Sequence, residues 1–236
     1  MKPYQGLPIA ECGEPLVTIP PARFRLATPH PYVALGAPYH GSAPWRLRLG
    51  VLEALTRAQR HLQRLRPGWW LRLFDAYRPI AVQAFMVERE FRQLAGGRIP
   101  REVPAAERAI LLERAYRIWA PPSHDPATPP PHSTGAAVDL SLCDAEGREI
   151  HMGSPIDENS ARSEPDHFMA LDPVAHAHRC LLCRVMTDAG FRRHPGEWWH
   201  FSLGDQLWAW QMREAGATGR VVARYGRADL LHDAGP

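Results

Sequence analysis

Two short segments carry the residue types that bind a catalytic metal ion, HSTGAAVDL at 132–140 and GEWWHF at 196–201. Zn²⁺ in a hydrolase takes three protein ligands from imidazole and carboxylate side chains, and its fourth position holds a water whose pKa falls to about 7. His132, Asp139 and His200 supply such a set. The two segments therefore indicate a zinc site for hydrolysis.

Each of these residues also has an ordinary structural interpretation. His132 fits a loop, and Asp139 fits a pair with an arginine. Glu197 and His200 fit the protein surface, and with 12 histidines in the chain a histidine near an acid is expected by chance. Glu197 stands three residues before His200, a spacing that points to opposite faces of a strand, so a turn or bulge must intervene if both face one metal.

Helices and a few separated strands surround these segments. Helical spacing of apolar residues, or a cap followed by proline, predicts helices over 47–65, 79–95, 104–119, 172–190 and 205–215. Short apolar runs predict strands over 69–74, 136–142 and 198–203. Because helices and strands do not alternate regularly, this order favours one α+β domain with a central antiparallel sheet flanked by helices, and the zinc site on that sheet.

The remaining stretches differ in composition. Residues 1–45 are rich in proline and aromatic side chains and predict turns and extended segments with one or two short strands. Residues 120–134 hold six prolines and predict a stiff loop. We expect the domain to span 1–216, and the Gly-, Ala- and Arg-rich residues 217–236 to form a loosely attached extension.

Charge and apolar content exclude several classes of protein. The net charge of +3 is spread along the chain, in which Lys2 is the only lysine, so no nucleic-acid partner is expected. No apolar run resembles a signal peptide or a membrane span, which predicts a soluble cytoplasmic protein with no membrane partner. The four cysteines are too few for a disulfide scaffold, and Cys180 and Cys183 are interpreted as buried core thiols.

A third segment, DAYRP at 75–79, precedes the other two. The order and spacing of all three resemble the zinc D-alanyl-D-alanine dipeptidases, the type that includes vancomycin-resistance enzymes. The segment HMGSPIDENSARSEPDH at 151–167 also resembles the loop that follows the metal-binding strand in that family. The similarity covers residues 70–205, and the family fold, shared with zinc DD-carboxypeptidases and the hedgehog signalling domain, is a small α+β unit.

The resemblance implies a role for individual residues. It makes His132, Asp139 and His200 the ligands of one zinc ion per chain. Glu197 matches the base that takes a proton from the zinc-bound water and passes it to the leaving amine. Arg78 matches the arginine that stabilises the oxyanion.

The resemblance extends to the substrate pocket. Asp157 matches the carboxylate that holds the free ammonium of a dipeptide. The tyrosine segment of the family is represented by Tyr32-Val33-Ala34, which makes Tyr32 a substrate-binding candidate. The family has a serine two residues before the first ligand, where this chain has Pro130, which offers neither a hydroxyl nor a backbone N–H.

The implied function is hydrolysis of D-alanyl-D-alanine or a related D,D-dipeptide, by a protein that could also form a homo-oligomer. A DD- or LD-carboxypeptidase acting on peptidoglycan peptides stays open, since Pro130 alters the amino side of the pocket. A non-catalytic zinc-binding module is the second alternative, against which Glu197 and Arg78 argue. Arg78 has its own alternative as the partner of Asp75.

Overall fold

The computed structural model describes residues 2–219 and 221–231, in which helices pack against a five-stranded sheet. The strands are β1 (Leu16–Thr18), β2 (Arg25–Leu26), β3 (Arg46–Arg48), β4 (Trp70–Asp75), β5 (Ala137–Cys143), β6 (Arg192–Arg193) and β7 (His200–Ser202). The helices are α1 (Pro31–Ala34), α2 (Leu49–Leu65), α3 (Ile80–Leu94), α4 (Ala105–Ala115), α5 (Pro173–Asp188) and α6 (Gln206–Glu214).

The sheet has the strand order β2-β4-β5-β7-β6, and β1 and β3 form a separate two-stranded ribbon. Every pair in the large sheet is antiparallel except the edge pair of β2 and β4. The α+β prediction is confirmed, with this parallel edge as an addition. A parallel pair needs a long crossover, which the chain between β2 and β4 supplies through α1, β3 and α2.

The two faces of β5 serve different purposes. All seven of its residues are buried. Val138, Leu140 and Leu142 join the main core with apolar residues of α2 and α5. Because side chains alternate along a strand, Asp139 lies on the opposite face. One face thus stabilises the fold, while the other is free to carry chemistry.

The helix and strand predictions hold with small shifts. α2 begins at Leu49 because the residues before it form β3, and α4 ends at Ala115, four residues before the predicted end. The prediction of buried core thiols is wrong: Cys180 is exposed and Cys183 is half-buried. Leu182 takes the inward position on this part of α5 and leaves the cysteines on outer positions.

Part of the predicted extension packs firmly on the domain. Tyr225 is fully buried, Ala223 pairs with Ile9, and the buried Arg48 donates to the Gly226 carbonyl at 3.0 Å. Over 221–231 the chain is therefore not loosely attached, contrary to its composition, while 232–236 lie outside the described residues and the domain boundary stays a prediction. Among the described helices, none has the length and apolar character needed to cross a membrane.

Candidate active site

Two neighbouring strands and a turn bring three possible metal ligands together. Asp139 of β5 lies directly opposite His200 of β7, and His132 lies in a 3₁₀ turn, Pro131–Thr134, just before β5. His132 Nε2 is 3.2 Å from Asp139 Oδ2, and His200 Nδ1 is 3.0 Å from Asp139 Oδ1. The two ring nitrogens are 3.2 Å apart. One ligand atom from each residue lies within 4.8 Å of the others.

The outer nitrogens of the two rings are also held. His132 Nδ1 lies 2.7 Å from the Ala76 carbonyl, and His200 Nε2 lies 3.2 Å from Ser202 Oγ. Such contacts fix the orientation of ligating histidines and determine which nitrogen faces a metal. Burial works against the charged form of Asp139, but His132 and His200 hold its pKa well below the usual value. Two imidazoles and an ionised carboxylate form a donor set that fits zinc.

A glycine ends the turn that carries His132. Gly135 has φ +71°, a left-handed conformation, and a Cβ at this position would collide with the Leu16 side chain. The Gly135 N–H donates to the His132 carbonyl at 3.2 Å. This glycine therefore allows the chain to pass from the 3₁₀ turn into β5 with both ligands on one side.

A β-bulge places a buried acid beside the ligands. Leu73 pairs with Leu140, but the next partners are Asp75 and Asp139, so Phe74 is the extra residue. The bulge moves Asp75 away from the core face on which Leu73 lies. Asp75 is fully buried, and its Oδ2 lies 3.3 Å from His132 Nδ1.

Arg78 is fixed by several contacts. Its Nε and Nη2 donate to Asp75 Oδ2 at 3.0 and 2.8 Å, and its Nη1 donates to Gln83 Oε1 at 2.8 Å. The guanidinium carbon lies over the rings of Tyr32 and Trp119, 5.0 and 5.1 Å from their centroids. Arg78 thus pairs with Asp75, which is the structural role that the sequence offered as an alternative. It also faces Asp139, with Nη2 3.4 Å from Asp139 Oδ2.

Glu197 lies in the turn before β7, which supplies the break that its spacing from His200 required. Its Oε2 is 3.9 Å from His200 Nδ1, and its Oε1 is 3.4 Å from His194 Nδ1. Burial, aided by the charge of Asp139, raises the pKa of Glu197 well above the usual range. Burial also lowers the pKa of His194 well below the usual value, so His194 is neutral near pH 7.

Asp157 and Tyr32 are in direct contact. Tyr32 donates from its hydroxyl to Asp157 Oδ2 at 2.8 Å and accepts from Arg78 Nη2 at 3.2 Å. Asp157 has φ +66°, a conformation rare outside glycine. Surrounding protein atoms raise its pKa to about 7, with a further contribution from Asp139. A cation next to Asp157 would therefore stabilise the ionised form of its carboxyl group.

These residues line one small pocket with a cavity volume of about 30 Å³. Six of the seven candidate residues line it: Arg78, His132, Asp139, Asp157, Glu197 and His200. Tyr32 contacts Asp157 and lines a neighbouring pocket, and Pro131, the neighbour of Pro130, lines the first.

Sequence reasoning missed several lining residues. They are Lys2, Tyr4, Gln83, Trp119, His194 and Leu207. His194 stands three residues before Glu197 and offered a weak local signal, whereas Lys2 and Tyr4 reach the pocket through contacts far apart in sequence.

Comparisons with known proteins agree with the three segments. The model of the peptidase M15 family, described as D-Ala-D-Ala dipeptidase, matches residues 25–216. A D-alanyl-D-alanine dipeptidase of Synechocystis sp. is 44% identical over 241 residues, covering 97% of this chain and 98% of that protein. A D-alanyl-D-alanine dipeptidase of Enterococcus faecalis is 32% identical over 160 residues, covering 66% and 72%. The resemblance drawn from the sequence is confirmed.

Proposed function

The chain belongs to the peptidase M15 family of D-Ala-D-Ala dipeptidases, and from this premise we propose that it hydrolyses free D-alanyl-D-alanine with one zinc ion per chain. The observation that carries the proposal is the meeting of three zinc-ligand side chains with Glu197 and Arg78 around one small pocket. The small volume of this pocket favours a short substrate such as a dipeptide over the longer peptidoglycan peptides of a carboxypeptidase.

His132, Asp139 and His200 would hold the zinc ion, through the ring nitrogens and carboxylate oxygens that face one another. Zinc bound there supplies Lewis-acid polarisation of the scissile carbonyl and a water of lowered pKa. The contacts to Ala76 and Ser202 keep the ligating nitrogens turned inward.

Glu197 is the proton carrier. Its carboxyl group lies next to the ligand cluster, where the charge of a bound zinc ion would favour the ionised form, and the carboxylate takes a proton from the attacking water. It then delivers that proton to the nitrogen of the leaving amino acid. His194 is neutral near pH 7 and does not compete for the proton.

Arg78 stabilises the negative charge that develops on the carbonyl oxygen. Its guanidinium stays charged at neutral pH, and Asp75 and Gln83 fix it before substrate arrives. A donor that needs no rearrangement during the reaction is worth more than a mobile one.

Asp157 binds the free ammonium of the substrate. With its pKa raised to about 7, its carboxyl group is only half ionised near neutrality, and an ammonium beside it favours the ionised form. A blocked amino terminus would lose this pairing and would meet the pocket wall, so cleavage is restricted to free dipeptides.

The proposal is tested with D-Ala-D-Ala, its N-acetylated form and a cell-wall pentapeptide, using protein with one zinc per chain confirmed by metal analysis. Cleavage of the free dipeptide alone is expected. Cleavage of the blocked or longer substrates would instead identify a carboxypeptidase, and binding without any cleavage would identify a zinc-binding module.

Replacing the proton carrier separates chemistry from binding. Glu197→Gln is expected to lower kcat about 10²- to 10⁴-fold while zinc content stays at one per chain. Glu113→Gln makes the same change on the exposed side of α4 and is the matched control, with unchanged kcat. A Glu197→Gln protein of normal activity would contradict the assigned role.

A further inference from the structure

Lys2 is the only lysine of the chain, and it lies in the candidate active site. Its side chain is half-buried and lines the same pocket as Glu197 and His200. Its Nζ donates to the carbonyl of Tyr116, the residue that caps the C-terminus of α4, at 2.5 Å. A backbone carbonyl leaves the charge uncompensated, and within the described residues Lys2 has no ion-pair partner.

The segment that carries Lys2 is held in place. The 3₁₀ turn that follows it, Pro3–Gly6, packs against α6. Tyr4 is buried there and lines the pocket as well. Gln206 Nε2 donates to the Leu7 carbonyl at 2.6 Å, which ties the segment to the start of α6. The ammonium of Lys2 is therefore presented to the pocket by ordered structure.

Lys2 and Asp157 line the same pocket but make different contacts there. Lys2 Nζ donates to the Tyr116 carbonyl, whereas Asp157 accepts from the Tyr32 hydroxyl next to Arg78. The pocket thus carries both an acid and an ammonium group.

The other basic groups of the pocket are already engaged. Arg78 uses its N–H groups on Asp75, Gln83 and Tyr32. His194 Nδ1 accepts from the Gly196 N–H at 3.1 Å, so this nitrogen has no hydrogen to offer to an anion. Among the described lining residues outside the ligand cluster, Lys2 remains as the cation available to an anion.

The substrate carries such an anion at a defined place. The nitrogen that leaves beside Glu197 belongs to the second residue of the dipeptide, whose carboxylate is attached to the neighbouring carbon. We propose that Lys2 binds this C-terminal carboxylate, so that Asp157 and Lys2 together recognise a zwitterion two residues long. This inference rests on the proposed function and adds a specificity-determining residue to it.

The test compares D-Ala-D-Ala with D-alanyl-D-alaninamide, which lacks the carboxylate. Wild type, Lys2→Met and Lys2→Arg are assayed as zinc-loaded full chains carrying no tag at the N-terminus. Since a hydrogen bond to a charged group is lost, Lys2→Met should raise KM for the acid about 10- to 100-fold and change KM for the amide less than about threefold. Lys2→Arg should restore part of the preference for the acid.

The controls separate recognition from folding. Arg64→Met removes one positive charge from the exposed side of α2 and should leave both KM values unchanged. An equal change for acid and amide in Lys2→Met would show that Lys2 only anchors the N-terminal segment through Tyr116, and no change for either substrate would also overturn the inference. If wild type cleaves neither substrate, the proposed function fails and this inference with it. Lys2→Gln serves as a second neutral variant if the methionine protein does not fold.

Discussion

The substitution Asp75→Asn removes the negative charge of the buried acid that holds Arg78 and hardly changes the shape of the side chain. Asp75 Oδ2 accepts two N–H bonds from Arg78, while Oδ1 lies 3.1 Å from His30 Nε2. His30 Nδ1 accepts from the backbone N–H of Tyr32 at 3.2 Å, so Nε2 carries the hydrogen and donates to Asp75. An amide in place of the carboxylate faces donors on both sides.

The magnitude follows from those contacts. If the amide nitrogen of the asparagine faces Arg78, both hydrogen bonds to the guanidinium are lost. If it faces His30 instead, the amide N–H and the His30 Nε2–H point at each other and neither has an acceptor. Removing one partner of a buried ion pair costs about 3–5 kcal/mol. Asp139 remains 3.4 Å from Arg78 and partly compensates the charge, so we expect about 3 kcal/mol. In a protein of this size that corresponds to a fall in Tm of about 6–12 °C.

The assay is urea unfolding of wild type and variant with a chelator present, so that metal binding contributes to neither. Glu88→Gln is the matched control, because it makes the same acid-to-amide change in an exposed pair with Arg92. That control should cost at most about 0.5 kcal/mol. A loss below about 1 kcal/mol in Asp75→Asn would refute the reasoning, since the buried network would then contribute no more than a surface pair.

Two further substitutions test how the ligands are positioned. Gly135→Ala places a Cβ on a residue in a left-handed conformation and against the Leu16 side chain. It should lower the free energy of unfolding, measured in urea, by about 2–5 kcal/mol. A variant as stable as wild type would show that the turn relaxes freely. Ser202→Ala removes the hydroxyl next to His200 Nε2. It should weaken zinc affinity about 10- to 100-fold, measured by competition titration with a chelating dye. Unchanged affinity would mean that β7 alone orients the His200 ring.

The meeting of His132, Asp139, His200 and Glu197 at one place could be predicted because these residues lie in short segments next to signals that can be read locally. Asp139 follows a turn glycine inside an apolar run, and His200 belongs to a second such run. Antiparallel pairing of two buried strands then puts the two side chains opposite each other. The helices were predictable for a similar reason, since apolar spacing and proline or glycine boundaries are properties of neighbouring residues.

Features that depend on pairing between distant segments could not be read in this way. The bulge at Phe74 exists only in the register of β4 against β5, and the parallel edge pair depends on where the first 45 residues return to the sheet. Lys2 reaches the pocket because its segment packs on α6, nearly the whole chain away. Tyr225 is buried although its neighbours in sequence include many glycine and arginine residues. Local composition does not predict which residue packs against a distant segment.

The pairing of Ile9 with Ala223 also has a consequence for how the protein is made. A ribosome-bound chain that has been synthesised as far as β7 already contains all three candidate ligands. Its Arg48, which donates to the Thr134 carbonyl beside the His132 turn, still lacks the carbonyl of Gly226. Because N-terminal segments contact residues near the C-terminus, the candidate site residues are synthesised before the pocket can be assembled. A nascent chain released too early would carry the candidate ligands without the finished pocket.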